Sequence, residues 1–568
     1  HRIARRQRQM CIRDRLYPGV LANLLLVLGL VILYKSVHRQ HRMVRLLIAI
    51  LFVVVNVRYL NWRYTQTLPT FDFSLESIWM HTFYLFEALS AILLNWHFFV
   101  LVAPTDRSAE ADRWEEILRG QKQLPDVDIL IPTVNEPPEM LVDTIRAAKS
   151  VDYPNFKVWV LDDGGRDWLR DMASEYGVGY IRREARVNFK AGNLNHALER
   201  ISGEVVCVVD SDFQLHPNFL WRTVGMLNEP KMALIQTPQI YRNSDAIQHN
   251  LGGEYAWTEA QCTFSDVMQP GRDRWDNAFC YGTSFVVLRS ALDKIGGFST
   301  ETVSEDLATS YQLIAEGYKV RYLNEPLSHG LATQDIVAFV KQRARWCRGT
   351  MQCLLSPHGV LRNRSLSIVD RLFYLDPVLY HIGSLWTLML LLSPAVYWWF
   401  GIAPFYTDFG HLLVVLAPRI LLVTLGFYWL SYGKTIPIVS EVGRIVGIFQ
   451  LCKGVFATLL NPFNQDFSVT LKSQEAKETI VYWNLMLPLI AIAVLTLVGF
   501  LARYLGLMND DVLWRTDFGL MISLTVYTLW LLYLSCLACV QRPMEINPQV
   551  SRVGSVKKSI KQLALRLF

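Results

Sequence analysis

The sequence has few charged residues and no zinc-like grouping of cysteine with histidine, and both shortages exclude classes of protein. Charged side chains make up only 19% of the 568 residues, whereas hydrophobic side chains make up 52%. The mean hydropathy of +0.21 is high for a soluble protein. The nine cysteines show no zinc-like spacing with histidine, so we expect reduced thiols. The net charge is +6, mostly from basic residues beside apolar runs, and we therefore predict no nucleic-acid partner.

Long apolar runs stand at both ends of the chain and are missing from its middle. A helix needs about 20 apolar residues to cross a bilayer. Runs that approach this length are 18–34, 44–60, 77–102, 376–401, 411–431, 480–504 and 516–540. The pattern predicts a multi-pass membrane protein in which one polar domain lies between two groups of membrane helices.

The distribution of lysine and arginine predicts the side of the membrane on which the polar domain lies. The loop 35–45 and the tail 541–568 are both rich in these residues. Short basic loops remain on the cytoplasmic side, so we expect the polar domain and the tail in the cytoplasm. Residues 1–15 are rich in arginine although this topology places them outside. We interpret them as foreign, and the chain as a fragment that lacks a preceding crossing.

Short β-branched runs alternate with helical patterns between residues 126 and 340. The runs Val127–Ile131, Val158–Leu161 and Val205–Val209 have the length and composition of strands, and 139–150 and 191–201 have helical patterns. This alternation predicts an α/β fold with a mostly parallel sheet and helices on both of its faces. Ligands of such sheets bind just beyond the carboxyl ends of the strands.

Charged residues stand where these strands end. The sequence DDGG (162–165) follows the second strand, and DSD (210–212) follows the third. Two carboxylates at i and i+2 suit a divalent cation that bridges a diphosphate, although DxD alone also fits a solvated loop. Lys190 opens a helix whose free amides could hold phosphate oxygens.

Two further motifs lie nearer the second group of apolar runs. The sequence SED (304–306) fits either a surface helix cap or a general base at Asp306. The sequence QRARW (342–346) lies at the junction with the membrane. Its arginine and tryptophan suit a membrane interface, and they equally suit a diphosphate and a stacked sugar.

Taken together, these motifs resemble a known family. DDG, DxD, ED and QxxRW, in this order between membrane runs, are similar to the signature of processive family-2 glycosyltransferases, and from about 44 to 545 the chain resembles catalytic subunits of bacterial cellulose synthases. Segments that carry the resemblance are RYLNWRYTQTLP (58–69), DVDILIPTVNEP (126–137), QTPQ (236–239), QPGRDRW (269–275) and FSVTLK (467–472).

The resemblance implies a GT-A-like domain inserted between transmembrane helices. The expected divisions are N-terminal transmembrane helices (1–103), a cytoplasmic GT-A domain (104–345), amphipathic interface helices (346–375), C-terminal transmembrane helices with a gating loop near 467–472 (376–540) and a basic cytoplasmic tail (541–568). The implied reaction is inverting, processive transfer of glucose from UDP-glucose into β-1,4-glucan with Mg²⁺ or Mn²⁺, and export of the product across the bacterial inner membrane.

The resemblance also assigns roles to residues. Asp306 is the expected base, and Asp210 and Asp212 are the expected metal ligands, with Asp210 also contacting the nucleotide. The other expected substrate contacts are Asn135, Glu136 and Asp162 for the uridine, Lys190, Gln342 and Arg345 for the diphosphate, Trp346 and Tyr281 for the acceptor, and Phe467, Thr470 and Lys472 in the gating loop. Tyr281 stands where these synthases usually have cysteine, which leaves the linkage of the product open.

Implied partners are UDP-glucose, the growing glucan chain, the lipid bilayer and a periplasmic accessory subunit. The same machinery could instead make a β-1,3-glucan or another β-linked polysaccharide such as chitin or hyaluronan. Two more distant alternatives are a non-processive enzyme that glycosylates a lipid and a membrane transporter with a soluble regulatory domain.

Overall fold

A computed structural model describes residues 21–463 and 478–543, apart from residues 34, 40, 255, 256, 259, 260, 509–511 and 514. The expected gating-loop contacts Phe467, Thr470 and Lys472 therefore lie outside the described residues, as do the basic tail beyond residue 543 and the first 20 residues.

Apolar helices precede the polar domain. They are α1 (Leu21–Leu33), α2 (Arg42–Trp62) and α3 (Leu75–Val100), and α2 continues through a π-helical turn at Arg63–Thr67. The hydroxyl of Ser74 accepts a hydrogen bond from the Ser77 amide and thereby caps the start of α3.

The polar domain alternates strands and helices. Its elements are α4 (Ser108–Arg119), β1 (Val127–Thr133), α5 (Pro138–Lys149), β2 (Phe156–Asp162), α6 (Asp167–Glu175), β3 (Gly179–Arg182), α7 (Phe189–Leu198), β4 (Val205–Val208), β5 (Phe213–Leu215), α8 (Phe219–Val224), β6 (Met232–Gln236), α9 (Ala246–Leu251), α10 (Gln269–Asp273), β7 (Phe285–Leu288), α11 (Arg289–Ile295), α12 (Glu305–Ala315), β8 (Lys319–Tyr322), β9 (Ser328–Gly330) and α13 (Ile336–Leu355).

Seven of these nine strands form one sheet in the order β3-β2-β1-β4-β7-β6-β8, and β5 pairs antiparallel with β9. Strand β1 runs parallel to β2 and β4, whereas β7 runs antiparallel to β4 and β6. Every residue of β1 is buried, because apolar clusters cover both faces of the sheet. The predicted α/β fold with a mostly parallel sheet is confirmed, and the ends of β1, β2 and β4 lie side by side.

A second group of helices follows the polar domain. It consists of α14 (Ile368–Phe400), α15 (Phe409–Leu421), α16 (Phe427–Leu430), α17 (Pro437–Val446), α18 (Ile448–Leu460), α19 (Trp483–Tyr504) and α20 (Phe518–Ala538). Two short strands, β10 (Ile480–Val481) and β11 (Val540–Gln541), pair antiparallel.

Six helices in the described ranges are long and apolar enough to cross a membrane, so the chain has the build of a membrane protein. They are α2 with its π-helical turn, α3, α14, α15 together with α16, α19 and α20. These helices correspond to six of the predicted runs. The described part of the remaining run is α1, which is too short for this count. A seventh span is possible if α17 and α18, which meet at a bend of 68°, count as one.

The predicted division at residue 345 falls inside a continuous helix, since α13 extends from Ile336 to Leu355. The QRARW motif therefore lies within one unbroken helix, and this helix packs against α14 and α18 of the second group.

A buried arginine joins the ends of three membrane helices. Arg45, in the first turn of α2, is 1% exposed. Its guanidinium donates to the carbonyl of Leu101 at 2.9 and 2.6 Å and to the carbonyl of Leu430 at 2.8 Å. These carbonyls lie at the C-terminal ends of α3 and α16, where helix dipoles favour a cation.

Candidate active site

Asp162 ends β2 and shapes the turn that follows. Its carboxylate accepts hydrogen bonds from the amide of Gly164 at 2.7 Å, from the amide of Arg166 at 2.6 Å and from the hydroxyl of Tyr180 at 2.9 Å. Burial would raise the pKa of Asp162, but the bonds and the charge of Arg166 hold that pKa below its ordinary value. Asp162 is therefore ionised at neutral pH.

Glu136 closes the neighbouring turn after β1. Its Oε2 accepts from the hydroxyl of Thr133 at 2.6 Å and from the amides of Val134 and Asn135 at 2.7 and 3.0 Å. The Arg166 guanidinium also donates to the Glu136 carbonyl at 3.1 Å. Since Arg166 also contacts the Asp162 carboxylate, the three predicted uridine contacts lie together at the ends of β1 and β2, with Asn135 exposed.

The turn before α7 is held in a costly backbone conformation. Asn188 and Phe189 have φ angles of 59° and 46°, which non-glycine residues rarely adopt. The Arg183 guanidinium donates to the Phe189 carbonyl at 2.8 Å and pairs with the Asp163 carboxylate at 2.6 and 2.7 Å. The second aspartate of DDGG thus fixes the start of the helix that carries Lys190.

Lys190 joins three parts of the site. Its Nζ donates to Oδ1 of Asp210 at 2.6 Å and to the carbonyl of Gly282 at 2.5 Å. The Asp210 amide donates to the Thr283 hydroxyl at 2.8 Å, which anchors the end of β4. Burial would lower the pKa of Lys190, but the charges of Asp210 and Glu305 raise it above its ordinary value. Lys190 therefore remains a cation beside the DxD motif.

Asp306 lies in the first turn of α12, on the other side of Gly282. A Cβ at Gly282 would stand 3.2 Å from Oδ2 of Asp306 and 3.9 Å from Nζ of Lys190. Gly282 also has a φ of +110°, which other residues rarely adopt. Glycine here lets the backbone pass between the acid and the lysine, and this approach brings the SED and DxD motifs to one site.

The environment of Asp306 suits a base that works near neutral pH. Burial and the negative charge of Glu305 raise the pKa of Asp306 to about 7. The Leu307 amide, which donates to its Oδ1 at 2.7 Å, and the charges of Lys190 and Arg345 lower the pKa and limit the rise. General bases are most effective when their pKa is close to the working pH.

The DxD carboxylates have the chemistry of a divalent-cation site. The side chain of Asp210 is 28% exposed, whereas Asp212 is buried at 4%. Carboxylate oxygens are the ligands that Mg²⁺ and Mn²⁺ prefer. Within the described ranges, no group of three or more histidine, cysteine or acidic side chains could hold an ion alone. A cation bound here would need further ligands, which the oxygens of a diphosphate can supply. The two aspartates therefore fit the role of binding a cation together with a diphosphate.

The QRARW motif lies on α13, which packs against the start of α12. Gly349 makes this approach possible, since a Cβ there would stand 2.0 Å from the hydroxyl oxygen of Ser304. The positive charge of Arg345 is close enough to the Asp306 carboxyl to lower its pKa. The buried Nε of Arg345 has no hydrogen-bond partner among the residues that the structure describes. Arg345 is thus a cation at the site, and its Nε–H group is available to donate to a ligand.

Arg345 and Trp346 both neighbour Gln342 on the surface of α13, because they follow it by three and four residues. The ring of Trp346 stacks under the Arg343 guanidinium, whose carbon lies 4.5 Å from the ring centre. The face of α13 that bears the motif therefore presents an amide, a cation and an indole beside the start of α12.

Tyr281 is held by hydrogen bonds within the protein. Its hydroxyl lies 3.0 Å from the Tyr322 hydroxyl and donates to the Thr237 carbonyl at 3.2 Å. Its amide and carbonyl bond the side chains of Gln236 and Gln239 in the QTPQ motif. Burial raises the pKa of Tyr281, so the phenol stays neutral. Tyr281 thereby fixes the backbone of the residue that precedes Gly282.

Sequence reasoning assigned no role to three residues that the structure places in the site. Glu305 and Gly282 line the same small cavity as Lys190 and Asp306, and Thr283 anchors Asp210. The position of Glu305 within the ED motif was a usable signal. Gly282 and Thr283 follow Tyr281, where the sequence departs from the usual pattern, and nothing in their residue types indicates a contact with Lys190 or Asp210.

The sequence is similar to those of known glycosyltransferases. Residues 128–296 match the model of the family described as glycosyl transferase family 2. Cellulose synthase 1 of Komagataeibacter xylinus is 31% identical over 450 residues, which cover 78% of this chain and 28% of that protein. The UDP-forming cellulose synthase catalytic subunit of Pseudomonas fluorescens (strain SBW25) is 30% identical over 500 residues, which cover 87% of this chain and 65% of that one. The chain thus spans less than two thirds of the length of these relatives.

Among solved structures, the mannosyltransferase PcManGT from Pyrobaculum calidifontis in complex with GDP-Man and Mn²⁺ aligns with 65% of this chain and 99% of its own. The sequence identity is 15% and the TM-score is 0.42, too low to bear on function. The sequence relatives and the domain match carry the assignment. Residues 128–296 match the glycosyl transferase family 2 model, and most of the chain is similar to cellulose synthase catalytic subunits.

Proposed function

We propose that this chain is the catalytic subunit of a cellulose synthase, which transfers glucose processively from UDP-glucose to a growing β-1,4-glucan with inversion at the sugar carbon. The observation that carries the proposal is the grouping around Gly282. A half-buried carboxyl with a pKa of about 7, Asp306, lies beside the Lys190–Asp210 pair at the end of β4. The similarity to cellulose synthase catalytic subunits supports the choice of substrate.

In this proposal Asp306 accepts the proton of the acceptor hydroxyl. The hydroxyl oxygen attacks C1 of the donor glucose while the bond from C1 to the diphosphate oxygen breaks, and the electron pair of that bond leaves with UDP. A single displacement inverts the configuration at C1, so an α-linked donor gives a β-linked product. One base is sufficient, in contrast to retaining schemes that use a second carboxylate as the nucleophile.

The leaving UDP gains negative charge that the site must neutralise. Lys190 and Arg345 are the cations proposed to bind the diphosphate oxygens, and Gln342 is proposed to donate to them. Asp210 and Asp212 would hold a Mg²⁺ or Mn²⁺ ion, which supplies further charge neutralisation to the diphosphate when it is bound. Their carboxylate oxygens and their position at the end of β4 support this role.

Further contacts complete the proposed substrate site. We assign the uridine to Asn135, Glu136 and Asp162, and the acceptor to Trp346 and Tyr281. The gating-loop residues Phe467, Thr470 and Lys472 are proposed to close over the donor.

The membrane helices suggest where the product goes. A glucan chain is covered with hydroxyl groups and cannot cross hydrocarbon without a polar path. We propose that the polymer leaves the cytoplasmic domain 104–345 through the membrane bundle of the bacterial inner membrane, where a periplasmic accessory subunit receives it. Helix α13 supports this route, because it packs against α12 at the site and against α14 and α18 of the second helix group.

The test uses the full chain purified in detergent and given radiolabelled UDP-glucose with Mg²⁺ or Mn²⁺. We expect release of UDP together with an insoluble polymer that a β-1,4-specific glucanase digests and a β-1,3-specific glucanase does not. Digestion by the β-1,3 enzyme alone would establish the alternative linkage. A wild-type chain that releases no UDP would contradict the proposal and favour a transporter. An Asp306→Asn variant that releases UDP as fast as the wild type would do the same.

A further inference from the structure

A buried arginine between the polar domain and the membrane helices has no part in the chemistry proposed above. Arg272, on α10, is 1% exposed. Its Nη1 donates to Oδ2 of Asp376 at 2.8 Å, its Nη2 donates to the Tyr311 hydroxyl and to the Phe373 carbonyl at 2.8 Å each, and its Nε donates to the Asn277 carbonyl at 3.1 Å. One guanidinium therefore joins α10, α12 and α14.

The membrane side of this junction is firmly held. Asp376, on α14, is 6% exposed, and its second oxygen lies 2.8 Å from Nε2 of His97 on α3. Removal of one partner from a buried ion pair is costly, whereas an apolar replacement of the whole pair is often neutral. Stability alone therefore does not require an ionic junction here, and the directional bonds of Arg272 favour a geometric role.

The domain side of the junction is the helix of the proposed base. Tyr311 lies on α12 five residues after Asp306, about 7.5 Å along the helix axis. The Tyr311 ring stacks on Tyr374 of α14 with ring centres 3.7 Å apart. The Ser310 hydroxyl, in the same turn, donates to the Asp306 carbonyl at 2.9 Å. A shift of Tyr311 would therefore move the start of α12.

We propose that Arg272 is a positioning residue that fixes α12, and with it Asp306, at a set distance from α14 and the membrane bundle. This inference rests on the proposed function, in which the membrane side holds the acceptor chain and α12 carries the base. If the junction loosens, Asp306 no longer meets the acceptor hydroxyl in register. A water molecule can still reach Asp306. It gives a proton to Asp306 while its oxygen bonds to C1 of the donor glucose, and UDP leaves without elongation of the polymer.

The test compares UDP release with incorporation of radiolabelled glucose in the purified full chain. Tyr311→Phe deletes a single oxygen, and Asp376→Asn keeps the shape of the carboxyl. We expect incorporation to fall by about 10- to 100-fold in each variant, because a 1 Å error in placement can cost about 100-fold in rate. UDP release should fall less, so the UDP released per glucose incorporated should rise at least about fivefold, with the affinity for UDP unchanged.

Arg222→Lys is a matched control. Arg222 on α8 is also paired, with its Nε 2.8 Å from Glu325 and its Nη1 3.1 Å from Glu115, and these contacts lie wholly within the polar domain. We expect the wild-type ratio in this variant. The inference would be overturned if Tyr311→Phe lost UDP release and incorporation equally, or if its affinity for UDP weakened. It would also be overturned if UDP released per glucose incorporated rose as much in Arg222→Lys. Tyr311→Phe decides the matter even if Asp376→Asn does not fold, and a wild-type chain that releases no UDP would refute the proposed function instead.

Discussion

Asp306 is the residue on which the proposed chemistry depends most directly. Replacement by asparagine keeps the shape of the side chain but removes its ability to accept a proton. We expect Asp306→Asn to lower kcat by at least about 100-fold, the lower end of the range for general-base removal. The affinity for UDP, measured by isothermal titration, should stay near the wild-type value. A variant that loses UDP binding would make Asp306 a donor-site residue instead.

Glu305 gives the site a measurable dependence on pH. Its negative charge, after burial, is the main cause of the raised pKa of Asp306. Below about pH 7 the Asp306 carboxyl is protonated and cannot act as a base, so kcat/KM should rise with pH and level off above that value. Glu305→Gln removes the charge, and we expect the rising limb of the kcat/KM profile to move to lower pH.

Asp293→Asn is the control for this shift, because Asp293 lies on α11, is 57% exposed and pairs with Arg289. Its profile should match that of the wild type. A rising limb that stays in place in Glu305→Gln, or moves to higher pH, would contradict the coupling between Glu305 and Asp306.

Asp212 tests the proposed cation site. Without its carboxylate, the charge on the diphosphate would lack part of its compensation. We expect Asp212→Ala to lose the stimulation of UDP release by Mn²⁺ that the wild-type chain should show. Rates with added Mn²⁺ and with EDTA measure this difference, and full activity of the variant in EDTA would rule out the metal role.

At the scale of elements, α13 joins the site to the membrane, and Trp346 is its aromatic residue. An indole that stacks on the terminal sugar contributes roughly 0.5–1.5 kcal/mol beyond area burial, and it also places the acceptor hydroxyl. We expect Trp346→Ala to abolish elongation while UDP binding persists. The readout is radiolabelled polymer per mole of monodisperse protein. A normal specific rate with poor expression would indicate a membrane-interface anchor.

The sequence predicted the elements whose pattern is local. The strands β1, β2 and β4 and the helices α5 and α7 were expected within a few residues, because β-branched runs and helical spacing are visible in short windows. The pair α17 and α18 was not predicted. Glu441 and Arg444 interrupt the apolar pattern of α17, and the bend between the two helices divides a stretch that would otherwise approach the length of a span.

The site was predicted as a set of motifs but not as a geometry. Asp162, Lys190, Asp210 and Asp306 were named from strand ends and from the family resemblance. The contact that brings Lys190 beside Asp306, a hydrogen bond to the carbonyl of Gly282, links residues 92 positions apart. Such a contact depends on the packing of α7 against the segment before β7, and no local pattern encodes it.

At the scale of the whole molecule, the proposed topology places the polar domain and the loop between α2 and α3 on opposite sides of the membrane. Lys122 is exposed on the polar domain, and Phe73 is 81% exposed in the loop. We expect a membrane-impermeant maleimide to label Lys122→Cys only in inside-out vesicles and Phe73→Cys only in right-side-out vesicles. The unsubstituted chain gives the background from native thiols. Labelling of both variants from one side would contradict the topology.

The contacts of Arg45 impose an order on assembly. Leu430, which accepts one of its hydrogen bonds, is synthesised 385 residues later, after the whole glycosyltransferase domain. Until then the Arg45 guanidinium lacks one of its hydrogen-bond partners. A charged group with incomplete hydrogen bonds costs free energy within lipid. The first helices therefore cannot reach their final packing before α16 arrives, so the nascent domain has time to fold in the cytoplasm before the bundle closes beside it.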